Sequence, residues 1–231
     1  MKERIKTLLN RIGAQTNASS LRAAYDANAL MRFAKYLKAD LPWTTSAVAP
    51  RALAVLANEV VIHQRRNIVE CGCGISTLVL ADILAPLGGQ VTTIDDDPDW
   101  IEIVKGMTAH LSNINFVHAP LSATQLKGTE YKWYDTEILS DALAPGGFDM
   151  VFVDGPKATE SPLARYPAYY FLKEYLSEDF VIFLDDTARR GEREISRLWQ
   201  SEGDYSLQFV TYRGDLSILR PRSTKATYCI I

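Results

Sequence analysis

The sequence predicts an α/β fold: a seven-stranded, mostly parallel sheet with helices on both faces, a C-terminal antiparallel hairpin and an N-terminal helical extension. Three observations predict it. Short β-branched or aromatic runs near 68–69, 91–94, 115–117, 148–153 and 180–184 alternate with helical stretches, as buried parallel strands joined by crossover helices do. Several of these runs end in acids, namely Glu70, Asp95, Asp154 and the pair Asp185-Asp186. Ligands in open α/β sheets bind outside the carboxyl ends of the strands, so these acids stand where a site should be. Last, apolar segments at 206–212 and 216–219 flank Arg213-Gly214-Asp215 and read as an antiparallel hairpin.

Taken in order, residues 1–12 place Ile5, Leu8, Leu9 and Ile12 on one helical stripe, which would pack on the domain or on a partner subunit. Residues 13–20 are polar and read as a loop. Ser20 would cap a helix over 21–38 with Leu30, Phe33, Ala34 and Leu37 inward, and Asp40-Leu41-Pro42 would stop it. Pro50 starts the next helix, with Leu53, Leu56, Ala57 and Val60 on its inner face. This divides the chain into an extension, 1–49, and a ligand-binding domain, 50–231. A helix over 75–84 follows the glycine loop at 72–74, and Gly88-Gly89 end that unit. Asp97-Pro98 are a cap and first-turn pair for a helix to about 110, with Trp100, Ile101 and Val104 inward. Residues 123–145 have no clear periodicity. Their Tyr131, Trp133 and Tyr134 either wall a pocket or cover the sheet. Helices over 165–176 and 190–199 complete the set.

Composition bounds the function. At 231 residues, 47% of them hydrophobic and 23% charged, the chain can bury a proper core. A net charge of −3 argues against general affinity for nucleic-acid backbone. No apolar run approaches the roughly 18 residues of a membrane span, and charges interrupt the N-terminus too often for a signal peptide. Of three cysteines, two lie inside the glycine loop, and Cys71-x-Cys73 has neither zinc spacing nor a second pair. Reduced thiols in a cytoplasmic protein are expected.

The unit from Asn67 to Asp96 is the informative one. Strand, glycine loop, helix, strand and acid follow one another, which is how α/β folds hold a nucleoside. The dinucleotide fingerprint G-x-G-x-x-G is incomplete, because Thr77 stands at its third glycine. Glu70, two residues before Gly72, would repel a pyrophosphate and suit a cationic amino-acid moiety, while Asp95 could accept hydrogen bonds from both ribose hydroxyls. Glu70-Cys71-Gly72-Cys73-Gly74-Ile75-Ser76-Thr77 resembles motif I of the class I S-adenosylmethionine-dependent methyltransferases, which have a Rossmann-like fold. The resemblance spans about 50–221. It implies S-adenosylmethionine as cofactor, bound by Glu70, Gly72, Cys73, Gly74, Ser76, Thr77, Asp95 with Asp96, Ala119 at the adenine end of strand three, and Asp154. It also makes Trp43 a lid residue, unless that side chain only anchors the helices to the core. His118 reads as a surface or capping residue rather than a base.

A second resemblance concerns the strand-end acids. Residues 148–154, then Lys157, then Asp185-Asp186, resemble the catechol and caffeoyl-coenzyme A O-methyltransferases. That family implies a magnesium or similar divalent site at Asp154, Asp185 and Asp186, with Lys157 as general base, so Lys157 and Asp154 are the expected catalytic residues. Asp186 stands where the family has Asn. Asp154-Gly155-Pro156 and Arg165-Tyr166-Pro167-Ala168 instead resemble bacterial sugar and secondary-metabolite methyltransferases. Without a metal, the three acids would cap helices and pair with Arg165, Arg189 and Arg190. The expected activity is O-methylation of a small-molecule or sugar hydroxyl, in an acceptor made anionic to suit the basic groups. Homo-oligomers through the N-terminal helices are expected. The competing readings are a non-catalytic cofactor-binding scaffold and an NAD-dependent oxidoreductase, the latter disfavoured by Thr77 and Glu70.

Overall fold

The computed structural model describes residues 2–36, 41, 43–44, 46–145 and 147–224, with side chains from residue 17 onward. Seven strands form one sheet: β1 (Asn67–Cys71), β2 (Gln90–Asp95), β3 (Ile114–His118), β6 (Phe148–Val153), β7 (Leu176–Leu184), β8 (Tyr205–Val210) and β9 (Leu216–Pro221). Their order is β3-β2-β1-β6-β7-β9-β8. The first five are parallel, and β9 runs antiparallel to both β7 and β8. This is the expected sheet with its closing hairpin. The strand order reverses direction between β1 and β6, so a crevice opens above their carboxyl ends.

Side-chain alternation along these strands divides the core in two. Ile68, Met150, Phe152 and Phe183 face one side, against Leu53 and Leu56 of α2 (Pro50–Ile62) and Leu80 and Leu84 of α3 (Ile75–Leu84). Val69, Cys71, Val151, Val153 and Ile182 face the other, against Trp133, Tyr169 and Trp199. Both layers are needed because a parallel strand is buried on both faces. Two shorter helices follow this logic: α4 (Pro98–Met107), whose Ile101 and Val104 are buried, and α6 (Pro167–Leu172). The last, α7 (Arg190–Gln200), buries Ile195 and Trp199. Asp97 caps α4 by accepting from the amides of Asp99 and Trp100.

Two segments differ from expectation. The loop expected at 13–20 is helical, and α1 runs unbroken from Lys2–Arg32. Gly13 and the Asn and Ser residues that follow cost under about 1 kcal/mol each in a helix, and propagation between two helical flanks outweighs that. Ser20 is therefore mid-helix, and Leu37 to Asp40, with Pro42, lie outside the described residues. Ala29 and Phe33 pack against α2, and Arg22 and Asp26 reach across to Asp215 and Arg51. The unassigned stretch 123–145 holds an antiparallel hairpin, β4 (Leu121–Leu126) and β5 (Thr129–Tyr134), then α5 (Thr136–Ala142) capped by Asp135. Lys127 and Gly128 make its turn with φ of 52° and 78°, a two-residue turn of the sort hairpins favour. Trp133 and Tyr134 are fully buried, so this hairpin closes the second core layer. Among the described residues no helix is long and apolar enough to cross a membrane.

One buried charge cluster ties the sheet to α2. Glu59 has no exposed surface and accepts from Arg65 Nε at 3.1 Å and Arg220 Nη2 at 3.0 Å. Arg65 also donates to the carbonyl of Asp179 at 2.7 Å. Glu59→Ala would leave two guanidiniums buried beside an apolar stub. It should lower unfolding free energy by about 3–5 kcal/mol, read as a fall in the urea midpoint at unchanged m-value.

Candidate active site

The loop after β1 is held from below and from the side. Gly72 takes φ +90° and donates its amide to the carbonyl of Ile94 at 2.8 Å, which turns the chain off the sheet. A Cβ there would lie 3.1 Å from the amide nitrogen of Gly155 and 3.3 Å from the carbonyl carbon of Asp154. Glycine at 72 is thus required by the approach of the β6 loop, not by space for a ligand. Gly74 is different: a Cβ there would meet nothing within 4 Å.

Glu70 lies beneath this loop, fully buried. Its Oε2 accepts from the hydroxyls of Thr77 at 2.5 Å and Thr93 at 2.9 Å, and Thr77 in turn accepts the Gly74 amide at 2.9 Å. Burial pushes its carboxyl up to about 7, against the hydroxyls of Ser76, Thr77 and Thr93. Asp95 works from the side. Its Oδ2 accepts the Cys73 amide at 2.8 Å and its Oδ1 the Asp97 amide at 3.0 Å. Trp100 donates its indole N–H to the Cys73 carbonyl at 2.8 Å. Cys73 is therefore gripped at both backbone groups. Its thiol and that of Cys71 are free, and burial raises both well out of the reactive range.

Above the loop lies a cleft of about 340 Å³, lined by Gly72, Cys73, Gly74 and Ser76, by Asp95, Asp96 and Trp100, by Tyr134, and by Asp154 to Lys157. Thr44, Ser46 and Ala47 complete its lining. Burial and the neighbouring Asp95 raise the Asp96 carboxyl, with Lys157 pulling the other way. Of the residues expected to hold the cofactor, Glu70, Thr77 and Ala119 do not line the cleft. The first two support the loop from within, and Ala119 is fully buried beyond β3. Trp100 lines it without having been expected there, and Tyr134, for which a pocket wall and a sheet cover were both open, is part of its wall. Trp100 follows the Asp97-Pro98 cap within one turn, a signal that could have placed it. Tyr134 enters from the hairpin, and nothing local announces it. Its hydroxyl is buried with no hydrogen-bond partner among the described residues, and a Cβ on Gly155 would lie 2.3 Å from it. His118 is exposed at the end of β3 and lines neither cavity. Trp43 donates to the carbonyl of Tyr36 at 3.3 Å and packs on the core, so it is an anchor rather than a lid.

A second cavity, about 660 Å³, adjoins the first. The two share Ser46, Ala47, Asp154 and Lys157. The larger one is walled by Arg51, Arg165, Asp185, Asp186, Arg189 and Asp215. Arg51 is held by Asp26 at 2.5 Å and Asp215 at 2.7 Å, and Asp215 also takes Arg22 at 2.8 Å. These guanidiniums hold the Asp215 carboxyl below its ordinary value despite burial. Lys157 is exposed at the shared rim and makes no ion pair among the described residues.

The expected metal site is not formed. Arg165 Nη2 donates to the Asp154 carbonyl at 2.5 Å and to its Oδ1 at 3.1 Å, and Nη1 donates to Asp186 Oδ2 at 3.2 Å. Arg189 reaches the same Asp186 oxygen at 2.9 Å. Asp185 accepts the amide of Asp186 at 2.7 Å. Among the described residues, no three His, Cys, Asp or Glu side chains are arranged to hold a metal ion. A divalent ion needs six or more oxygens around it, and a guanidinium occupies one carboxylate oxygen of each of two of these acids. The arginine-paired arrangement replaces the tri-aspartate site, although Arg190 makes no ion pair with the three acids. Burial raises the Asp154 carboxyl to about 7 in spite of Arg165, and lifts Asp185 well above the carboxylate range with Asp154 and Asp186 adding to the rise.

The cleft and the sheet order place this chain among known folds. A family model described as a methyltransferase domain matches residues 69–187, just over half of the chain. An O-methyltransferase from Bacillus cereus, solved in complex with SAH, has 22% identity and a TM-score of 0.55, covering 85% of this chain and 90% of that one. The O-methyltransferase TomG from Streptomyces achromogenes, solved with SAM, has 20% identity and a TM-score of 0.53, covering 85% and 88%. A methyltransferase from Geobacter sulfurreducens has 16% identity and a TM-score of 0.53, covering 93% and 97%. No curated protein matches the chain. With the glycine loop, the strand order and the match across 69–187 in agreement, the chain belongs to the methyltransferase-domain family and has the class I methyltransferase fold.

Proposed function

We propose that this enzyme transfers a methyl group from S-adenosylmethionine to an oxygen of a small-molecule acceptor. The observation that carries the reading is the meeting of two cavities at Asp154 and Lys157. One cavity lies over the glycine loop and is of cofactor size. The other is larger and polar. The residues present fit the cofactor. Open space beside Gly74, an unpartnered Tyr134 hydroxyl and two strand-end acids form one continuous wall. Asp95 and Asp96 line the cleft beside Trp100, and we assign them to the ribose diol, with the indole as an apolar face next to it. S-adenosylmethionine supplies an already electrophilic methyl carbon, so the protein's task is to align an acceptor oxygen and dispose of its proton. Supporting this reading, two structurally similar proteins carry SAH or SAM and are described as O-methyltransferases.

Asp154 and Lys157 are the groups at the junction that could take that proton. A carboxyl lifted to about 7 is ionised above that pH and is matched to base work near neutrality. Lys157 stands beside it at the shared rim, to hold a negative part of the acceptor or, once it has lost its own proton, to act as the base. Arg51, Arg165 and Arg189 in the same wall are each paired with an acid, so it is Lys157, without an ion pair among the described residues, that supports an anionic, hydroxyl-bearing acceptor such as a sugar acid or sugar phosphate.

Three measurements test this. S-adenosylhomocysteine should bind by calorimetry, and Asp95→Ala should weaken it by about 1.5–3 kcal/mol, the range for hydrogen bonds to a charged group. Unchanged affinity would remove Asp95 from the ribose site. With a labelled methyl donor and an active acceptor drawn from hydroxy acids and sugar phosphates, Lys157→Met should lower kcat by roughly 10²–10⁴-fold. A rise in acceptor KM at constant kcat would instead make Lys157 a binding residue and leave the proton to Asp154. In the wild type kcat should rise with pH through about 7 as Asp154 ionises. That rise should be absent in Asp154→Asn.

A further inference from the structure

Arg165 is an unusual cation. It is 4% exposed, yet it lies in the wall of the larger cavity. A guanidinium has five N–H donors. Nε donates to the Pro156 carbonyl at 3.2 Å. Nη2 donates to the Asp154 carbonyl and carboxylate, and Nη1 to the Asp186 carboxylate. Four donors are thereby used, and the fifth, on Nη1, has no acceptor among the described residues. Two of the four acceptors are backbone carbonyls, so the side chain is fixed to the β6 loop itself. Its own segment is fixed too, because the carbonyl of Tyr166 accepts the Trp199 indole at 2.9 Å.

We propose that Arg165 is the resident cation of this site. It stands where a divalent ion would otherwise be needed, and it leaves one N–H for an acceptor oxygen. Its action on the acceptor rests on the methyl-transfer reading above, whereas its occupation of the cation position does not. A guanidinium stays charged at every pH an enzyme meets, so neutralisation of Asp154 and Asp186 is independent of metal supply. Arg189 shares the load on Asp186 from the solvent side. The class of acceptor follows. A metal centre rewards two adjacent oxygens that can chelate it, while a single remaining N–H asks for one oxygen only. The site therefore takes an acceptor with an isolated hydroxyl as readily as one with a vicinal pair.

The test uses Mn²⁺ as a probe, followed by electron paramagnetic resonance of the free ion. Wild-type protein should show no site tighter than on the order of 10⁻³ M, and its affinity for S-adenosylhomocysteine should be the same in EDTA. Arg165→Met keeps much of the stem and frees the carboxylates. It should bind Mn²⁺ about tenfold or more tightly than wild type, and adding Asp185→Asn should abolish the gain. A single wild-type Mn²⁺ site lost in Asp185→Asn would overturn the proposal. So would a folded Arg165→Met variant, judged by its binding of S-adenosylhomocysteine, that gains no affinity for Mn²⁺. The wild-type titration decides the matter if the variant does not fold. If wild-type protein fails to bind S-adenosylhomocysteine, the methyl-transfer reading fails instead, and the Mn²⁺ result still stands on its own.

Discussion

The Glu70 carboxyl is the constraint on which the site depends. It lies at the end of β1 with no exposed surface, and one of its oxygens receives hydroxyls from Thr77 on α3 and Thr93 on β2. A single oxygen thus fixes the angle at which strand, helix and neighbouring strand meet. The Gly74 amide is bound to the same Thr77 hydroxyl, so the loop inherits that geometry. A partly protonated carboxyl suits this role, since a neutral acid is far less costly to bury than a charged one. Asp95 then completes the loop from the other side by holding the Cys73 amide. The two acids share the work: one sets the frame and the other faces the cleft.

What could be read in the sequence was whatever is encoded locally. The helix over 75–84, the strand over 148–153, the Asp97-Pro98 cap and the C-terminal hairpin all agree with the structure, because each rests on periodicity or cap chemistry within one segment. The continuity of α1 was not legible. Its polar middle gives no helical signal, and the ion pairs that commit it, Arg22 to Asp215 and Asp26 to Arg51, connect distant parts of the chain. The hairpin at 121–134 was hidden for a similar reason. Its Lys-Gly turn is a weak signal beside Asn-Gly, and its aromatic residues are buried on the far side of the sheet.

At the site, the sequence named the right strand ends and misjudged what lies between them. Asp154, Asp185 and Asp186 do converge. Three acids converging need positive charge, and spacing along the chain cannot say whether that charge is a metal or an arginine. Arg165 was named only as a pairing alternative, since its place between Asp154 and Asp186 is set by the loop after β6 folding back over the sheet. Glu70 and Thr77 were assigned to the ligand for the opposite reason. They belong to the loop motif by sequence, yet the pleat of β1 and the first turn of α3 direct their side chains into the protein.

Asp215 binds Arg22 from the first helix and Arg51 from the second, while its own residue sits in the last hairpin. One side of the larger cavity is therefore built where the second helix and the last hairpin meet, opposite the strand-end residues 154–189. A change at Arg22, Arg51 or Asp215 can therefore reshape that side without touching the glycine loop. The carboxylate that joins the two ends of the chain is thus also a wall of the larger cavity, so the docking of the first helix and the shape of that cavity are set together.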